Sequence, residues 1–180
     1  RNGAKTLIIQ DRPMFGGNAS SEIRMWICGA HGPNRKETGL LEELQLDNLY
    51  FNPELHYTIW DDVMYNFVRQ QPNLSMLLNS SVESVEVEDG KIRSVTAWNL
   101  VEYTRYRVEG KLFADCSGDG ILRLSGAKYR MGRESRDEFD EPHAPEHADK
   151  KTMGNSILIQ LRRTKTHRPF RAPEWAYHYT

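Results

Sequence analysis

A short apolar run that closes on an acid and is followed at once by paired glycines limits the possible folds of this sequence more than any other feature. Lys5 to Gln10 encloses Thr6-Leu7-Ile8-Ile9, with Asn2-Gly3 before it, Asp11-Arg12-Pro13 after it, and then Gly16-Gly17-Asn18-Ala19-Ser20-Ser21. So brief a β-branched and leucine-rich run between turn formers suits a buried parallel strand. In a nucleotide-binding α/β unit, the acid ending the second strand accepts hydrogen bonds from both ribose hydroxyls, and Asp11 fits that position. A lone Asp before a proline is also an ordinary turn former, so the reading needs a partner motif.

The partner lies near the other end. Lys111-Leu112-Phe113-Ala114-Asp115 reads as another short strand, running into Cys116-Ser117-Gly118-Asp119-Gly120 and a helical Ile121-Leu122-Arg123-Leu124. Glycine lets backbone approach a ligand closely, and the N–H groups of a following helix offer positive partial charge to a phosphate or flavin oxygen. A strand-to-helix turn also needs glycine for steric reasons. The two motifs together argue better for a phosphate-bearing cofactor than either does alone.

Between them the pattern predicts two amphipathic helices. Glu37 to Asn48 carries Leu40, Leu41, Leu44 and Leu49 at helical spacing, with Thr38 as cap, and Trp60 to Gln71 repeats the spacing through Val63, Met64, Phe67 and Val68 before Pro72. Leu74 to Leu78 is a second buried strand. Val82, Val85 and Val87, the turn Glu88-Asp89-Gly90, then Ile92, Val95 and Ala97, and finally Tyr103 to Val108 predict an antiparallel meander. Glu22 to Ile27 suits strand or helix equally. Met131 to Lys151 is charged and reads as a surface loop or linker, and Ser156 to Leu161 resumes as a strand.

Composition narrows the function. At 180 residues, 38% hydrophobic and 27% charged, the chain suits one ordinary domain, or part of one. A net charge of −1 from 24 basic and 25 acidic residues argues against a nucleic-acid face. No stretch approaches the roughly 20 apolar residues of a membrane span, and the mean hydropathy of −0.69 agrees. Cys28 and Cys116 stand far apart, which writes neither a disulfide scaffold nor a zinc knuckle. A chain that opens Arg1-Asn2-Gly3-Ala4-Lys5 reads as cut from a longer one, with Gly3 as the C-cap of a preceding helix.

The run from Ile9 to Arg24, together with Leu112 to Gly120, resembles the FAD-dependent oxidoreductases built on the glutathione-reductase-type Rossmann domain. Trp60-Asp61, Thr152-Met153-Gly154-Asn155-Ser156 and Pro173-Glu174-Trp175-Ala176 extend the resemblance over nearly the whole chain. It implies that Asp11 binds the adenosine ribose of FAD, where many relatives use Glu, and that Arg12 borders the adenosine. It places Gly16, Gly17 and Asn18 close to the pyrophosphate and the flavin side, with Ser20 and Ser21 hydrogen-bonding there. Val82 would hold adenine through its backbone, Gly118 and Asp119 would meet the ribityl and pyrophosphate part, and Asp115 would lie beside them. The sequence departs from the family in one respect: it contains no G-x-G-x-x-G loop, which belongs before the first strand seen here. That loop is the main pyrophosphate anchor, so the activity is expected of the parent protein.

A flavin supplies the redox chemistry, and the protein orients substrate and places acid or base. His31, between Gly29-Ala30 and Gly32-Pro33, and Arg24, able to clamp a carboxylate or polarise an oxygen, are the catalytic candidates. An exposed loop His and a salt-bridged Arg are the plain alternatives. Cys28 and Cys116 are expected to be small packing residues, with no dithiol nearby. His143 and His147 among Asp140, Glu141, Glu146 and Asp149 raise a metal site, but Pro142 and Pro145 break the helix it would need, so a solvated loop and no metal are expected. Phe170, Trp175, Tyr177 and Tyr179 suit a substrate pocket or a hydrophobic edge.

The expected fold is α/β: a partial Rossmann-type, glutathione-reductase-like FAD-binding domain over residues 1–150, lacking its first strand and phosphate loop, with a β-meander. The start of a substrate domain follows over 151–180. The expected function is hydride transfer between bound FAD and a small organic substrate, of sugar or polyol type from the aromatic and Arg content. The rivals are an NAD-dependent dehydrogenase, which would not need the second motif and meander, and a non-catalytic module that keeps the fold. The expected partners are the small-molecule substrate and the remainder of the parent chain, with no nucleic acid and no membrane.

Overall fold

The computed structural model describes residues 2–25, 27–29, 32–118, 120–154 and 161–177. Strand β1 (Thr6–Ile9) and strand β2 (Leu74–Leu77) lie side by side in parallel, in register from Thr6 opposite Leu74 to Ile9 opposite Leu77. A parallel pair needs a crossover. It is made by helix α1 (Gly39–Phe51) and helix α2 (Tyr57–Arg69), which pack on each other, with α2 also against β2.

The helices differ in how their sequence is used. In α2 the apolar spacing buries Val63 and Met64 and half-buries Phe67 and Val68. It begins three residues before the expected Trp60 because Asn52 fixes the chain ahead of it. The Asn52 side chain is buried, accepts the His56 N–H at 2.8 Å and donates to the His56 carbonyl at 2.8 Å. In α1, Thr38 holds the capping position without a side-chain hydrogen bond, and none of the residues of the helix is fully buried. Its leucines Leu40, Leu46 and Leu49 all stand more than half exposed.

The meander forms as expected. Strands β3 (Ser80–Glu88), β4 (Lys91–Asn99) and β5 (Thr104–Glu109) run antiparallel in the order β3-β4-β5. Asp89 and Gly90 both take positive φ, 51° and 70°, the geometry of a two-residue hairpin turn that matches strand twist. β4 is flanked on both sides and holds all the buried residues of the meander but Ser80, namely Ser94, Val95, Ala97 and Asn99. A bulge between Val82 and Ser84 breaks the β3 ladder.

Three expectations are corrected. Lys111 to Asp115 does not form a strand: no strand pairs with it among the described residues, and Leu112 is 93% exposed, because an apolar run becomes a strand only beside a hydrogen-bonding neighbour. Cys28 and Cys116 are exposed free thiols, not packing residues. The helical turn after the second glycine motif is a short 3₁₀ turn, Leu122–Ser125. Of the two readings of the charged stretch from Met131, surface loop or linker, the loop is found: Arg133 and Asp149 exchange backbone hydrogen bonds across it, and helix α3 (Arg136–Phe139) lies within. The Glu22 to Ile27 stretch, where described, is turn and irregular chain. The expected Ser156 to Leu161 strand lies outside the described residues except for Leu161, which is exposed.

Among the described residues the core is small, with Phe15, Val63, Met64, Val95 and Ala97 as its buried apolar members. The accessible surface is 15962 Å², whereas a self-contained monomer of this mass exposes about 9,000 Å². The chain leaves much apolar surface uncovered, on α1 above all.

Candidate functional site

The carboxyl end of the parallel pair is where ligands meet open α/β sheets. Here the chain continues the ladder past β1. Gln10 donates to the Leu77 carbonyl at 2.9 Å, Ser80 donates to the Gln10 carbonyl at 2.9 Å, and Asn79 donates to the Arg12 carbonyl at 3.2 Å. These bonds bracket Asp11, an exposed residue, and hold its backbone beside the start of β3, two residues before Val82. Val82 is half-buried opposite Ala97, at the bulge, on a strand whose other edge has no full-length partner among the described residues. The backbone at Asp11 is thus held next to the strand that carries Val82, and Arg12 reaches Glu22 at 3.4 Å.

The glycine loop is held from below by α2. Gly16 has φ 105° and Gly17 φ 52°, both left-handed, and a short 3₁₀ turn runs over Gly17–Ala19. A Cβ on Gly16 would lie 2.7 Å from Met64 Cε, so Gly16 is small because α2 packs against it; around Gly17 the same position is open. Trp60 Nε1 donates to the Ala19 carbonyl at 2.8 Å, and Asp61 Oδ1 accepts the Ser21 N–H at 2.9 Å. Ser20 is buried, with its hydroxyl donating to the Gly17 carbonyl at 2.7 Å and accepting from the Glu22 N–H at 3.3 Å, so it shapes the loop from within. The Asn18 carbonyl accepts from Met25 N–H at 2.8 Å, which folds the loop back on itself.

Arg24 is fixed by its neighbours. It sits at φ 61°, its Nε donates to the Ser21 carbonyl at 3.0 Å, Tyr57 Oη donates to its carbonyl at 2.9 Å, and its guanidinium lies 5.8 Å from the Tyr57 ring centre. His31 and Asp119 lie outside the described residues.

The second motif is organised by Asp115. Its carboxylate accepts from Ser117 N–H at 3.0 Å, Ser117 Oγ at 2.6 Å and Ile121 N–H at 3.0 Å, while Gly120 N–H donates to Ser117 Oγ at 3.2 Å. Three bonds to one carboxylate curl residues 115–121 into a loop without help from a flanking strand. Gly118, at φ 83°, has open space where a Cβ would be. The 3₁₀ turn that follows packs on β3, the strand whose start adjoins Asp11.

Sequence reasoning missed the clamp residues Asp61 and Met64 as part of this site. Their relation to the Gly16–Ser21 loop is non-local, and no spacing within the chain signals it.

An acid at the end of a parallel strand, two open left-handed glycines and a carboxylate-curled loop form the plan of a nucleotide-cofactor domain. The family model described as FAD dependent oxidoreductase matches residues 1–178, and the chain belongs to that family of redox enzymes, whose cofactor is FAD. No curated protein matches the chain. The match sets aside the NAD-dependent and non-catalytic readings. Among the described residues no helix is long and apolar enough to cross a membrane.

The donor set fits FAD in part of its length. The exposed Asp11 carboxylate suits a ribose diol, and the Gly17 and Gly118 backbones are open to a closely approaching pyrophosphate chain. The chain contains no G-x-G-x-x-G segment for the pyrophosphate itself.

Proposed function

We propose that this chain forms the adenosine- and loop-bearing part of a glutathione-reductase-type FAD site, spanning residues 1–150, with the start of a substrate domain after it. The enzyme transfers a hydride between FAD and a small neutral organic substrate of sugar or polyol type. The observation that carries the reading is the backbone ladder of Gln10 and Arg12 with Leu77 to Ser80, because it supports the exposed Asp11 beside Val82 at the carboxyl end of the sheet.

In this reading Asp11 accepts both ribose hydroxyls, Arg12 flanks the adenosine and the Val82 backbone faces adenine. Gly16, Gly17 and Asn18 shape the path of the pyrophosphate, with Ser20 holding that loop from inside and Ser21 held by Asp61. Gly118 and Asp119 meet the ribityl side, on a loop that Asp115 curls. Bound FAD would supply the two-electron oxidant, taking up the hydride of a carbinol carbon whose hydroxyl proton leaves separately to give the carbonyl product. His31 takes the hydroxyl proton, and Arg24, tied to Ser21 and Tyr57, holds the chain between the glycine loop and the substrate.

Flavin absorbance of the full-length protein tests this. Asp11→Ala is expected to weaken FAD retention by about tenfold or more, the loss of charge-assisted hydrogen bonds. Unchanged FAD affinity would remove Asp11 from the ribose role, and a colourless protein that takes up no added FAD would sink the reading. For His31→Gln, slower flavin reduction with FAD still bound is expected.

A further inference from the structure

The aromatic residues near the end, Phe170, Trp175 and Tyr177, are each 80% or more exposed. A better enclosure lies elsewhere. Between α1, α2 and the stretch that follows the glycine loop is a cavity of about 300 Å³. Its walls include Met25, Leu49, Tyr57 and Trp60, and its polar groups are the carboxamides of Gln45 and Asn48.

Three properties of this cavity define what it takes. First, among the described residues no Asp, Glu, Lys, Arg or His lines it, so a charged ligand would lose its hydration without a counter-charge from them. Second, the polar atoms of both rings are already engaged, Trp60 Nε1 with the Ala19 carbonyl and Tyr57 Oη with the Arg24 carbonyl. The rings therefore offer apolar, π-rich surface and not their polar tips. Third, Gln45 and Asn48 stand three residues apart on α1, on one helix face. The Gln45 side chain makes no hydrogen bond to a described residue, while Asn48 Oδ1 accepts from Asn52 Nδ2 at 2.9 Å and the Asn48 NH₂ group is a donor. A carboxamide presents an acceptor and donors side by side, the pattern that matches adjacent hydroxyls, each both donor and acceptor. The C–H face of a saturated ring carries positive partial charge and suits the negative face of an aromatic ring. Ala19, from the glycine loop itself, also lines the cavity, which puts the ligand beside the loop assigned to FAD.

We propose that this cavity is the substrate subsite and takes a neutral cyclic polyol, a pyranose or cyclitol ring. Its role as a substrate site rests on the flavoenzyme reading above, whereas the ligand class rests on the cavity alone. Apolar aromatic faces hold the ring, and Gln45 and Asn48 fix its hydroxyls. Size agrees, since small-molecule pockets begin at about 300 Å³.

The test uses the full-length protein with methyl β-glucopyranoside, methyl β-galactopyranoside and myo-inositol as neutral probes, and methyl β-glucuronide as the anionic counterpart. Binding is followed by saturation-transfer NMR and tryptophan fluorescence, and flavin absorbance is recorded on the same samples. Saturable binding of at least one neutral probe is expected, with transfer to its ring C–H protons and weaker binding of the glucuronide. Gln45→Leu and, separately, Leu49→Asp are expected to weaken it by about tenfold each. Both positions face solvent in part, so neither change buries a charge in the core, and an unchanged far-UV circular dichroism spectrum is expected of each. Failure of all three neutral probes would overturn the proposal. So would binding unchanged in both variants, or strengthened by Gln45→Leu, which marks an apolar docking surface. The flavin signal separates the two readings: probe binding in a protein that takes up no FAD supports the cavity and overturns the flavoenzyme role, while FAD binding without probe binding does the reverse.

Discussion

Asp61 on α2 accepts the backbone N–H of Ser21 at 2.9 Å, a bond that joins residues forty positions apart and holds the end of the glycine loop against the crossover helix. With Trp60 donating to Ala19 one residue earlier, α2 sets the shape of the loop. Asp61→Ala leaves the partly buried Ser21 N–H without its acceptor and is expected to destabilise the protein by about 1–3 kcal/mol. Asp61→Asn keeps an amide oxygen in place and is expected to lose much less. Chemical denaturation of the two variants, with FAD retention measured alongside, checks this; equal losses would show that charge matters more than the bond.

Gly16 is tested by a double substitution. Gly16→Ala brings a methyl group within 2.7 Å of Met64 Cε at φ 105°. It is expected to cost about 1–3 kcal/mol, as strained non-glycine backbone does. Met64→Ala removes the collision and leaves the backbone strain, so the double variant should recover part of the Gly16→Ala loss relative to Met64→Ala alone. Additive losses in a denaturation cycle would rule out the contact.

Asp115 carries a third prediction. Replacing it by Ala removes the acceptor of three hydrogen bonds at once, so residues 117–121 should lose their fixed curl. Faster amide hydrogen exchange at Ser117 and Ile121 is expected, with the meander protected as before. Unchanged exchange there would show that the loop is shaped by something else.

The closed loop from Arg133 to Asp149 gives a pH prediction. The Arg133 guanidinium and then the Lys151 N–H hold the Asp149 carboxyl down from 3.8 to about 2. A folded-state pKa below the unfolded one means stabilisation that is present above about pH 4 and is lost as pH falls toward 2. A carboxyl ¹³C titration of Asp149 should therefore show a midpoint near 2, and Arg133→Gln should raise it toward the ordinary carboxylate value. A midpoint near 4 in the unaltered protein would contradict the ion pair.

Periodicity located α1, α2, β1, β2 and the meander because each is specified by its own apolar spacing and by local turn residues such as Asp89-Gly90. It placed the start of α2 late, since that boundary is set by the Asn52 side chain on His56 and not by spacing. It read Lys111 to Asp115 as a strand because the run is apolar, but pairing is a property of neighbours and not of a segment. Asp11, Gly17 and Gly118 stood out in the sequence as candidate site residues through their position after strand signals. Asp61, Met64 and the cavity beside Gln45 were not, because each depends on a contact across the crossover.

β1 bonds to β2 on one side, and no described strand lies along its other side, where Leu7 is 38% exposed. An open strand edge is a template for any other extended backbone. Handled by itself, this stretch of chain therefore carries a built-in tendency to self-associate, governed by protein concentration. Its behaviour in a test tube is then set by strand capture as much as by the strength of its core.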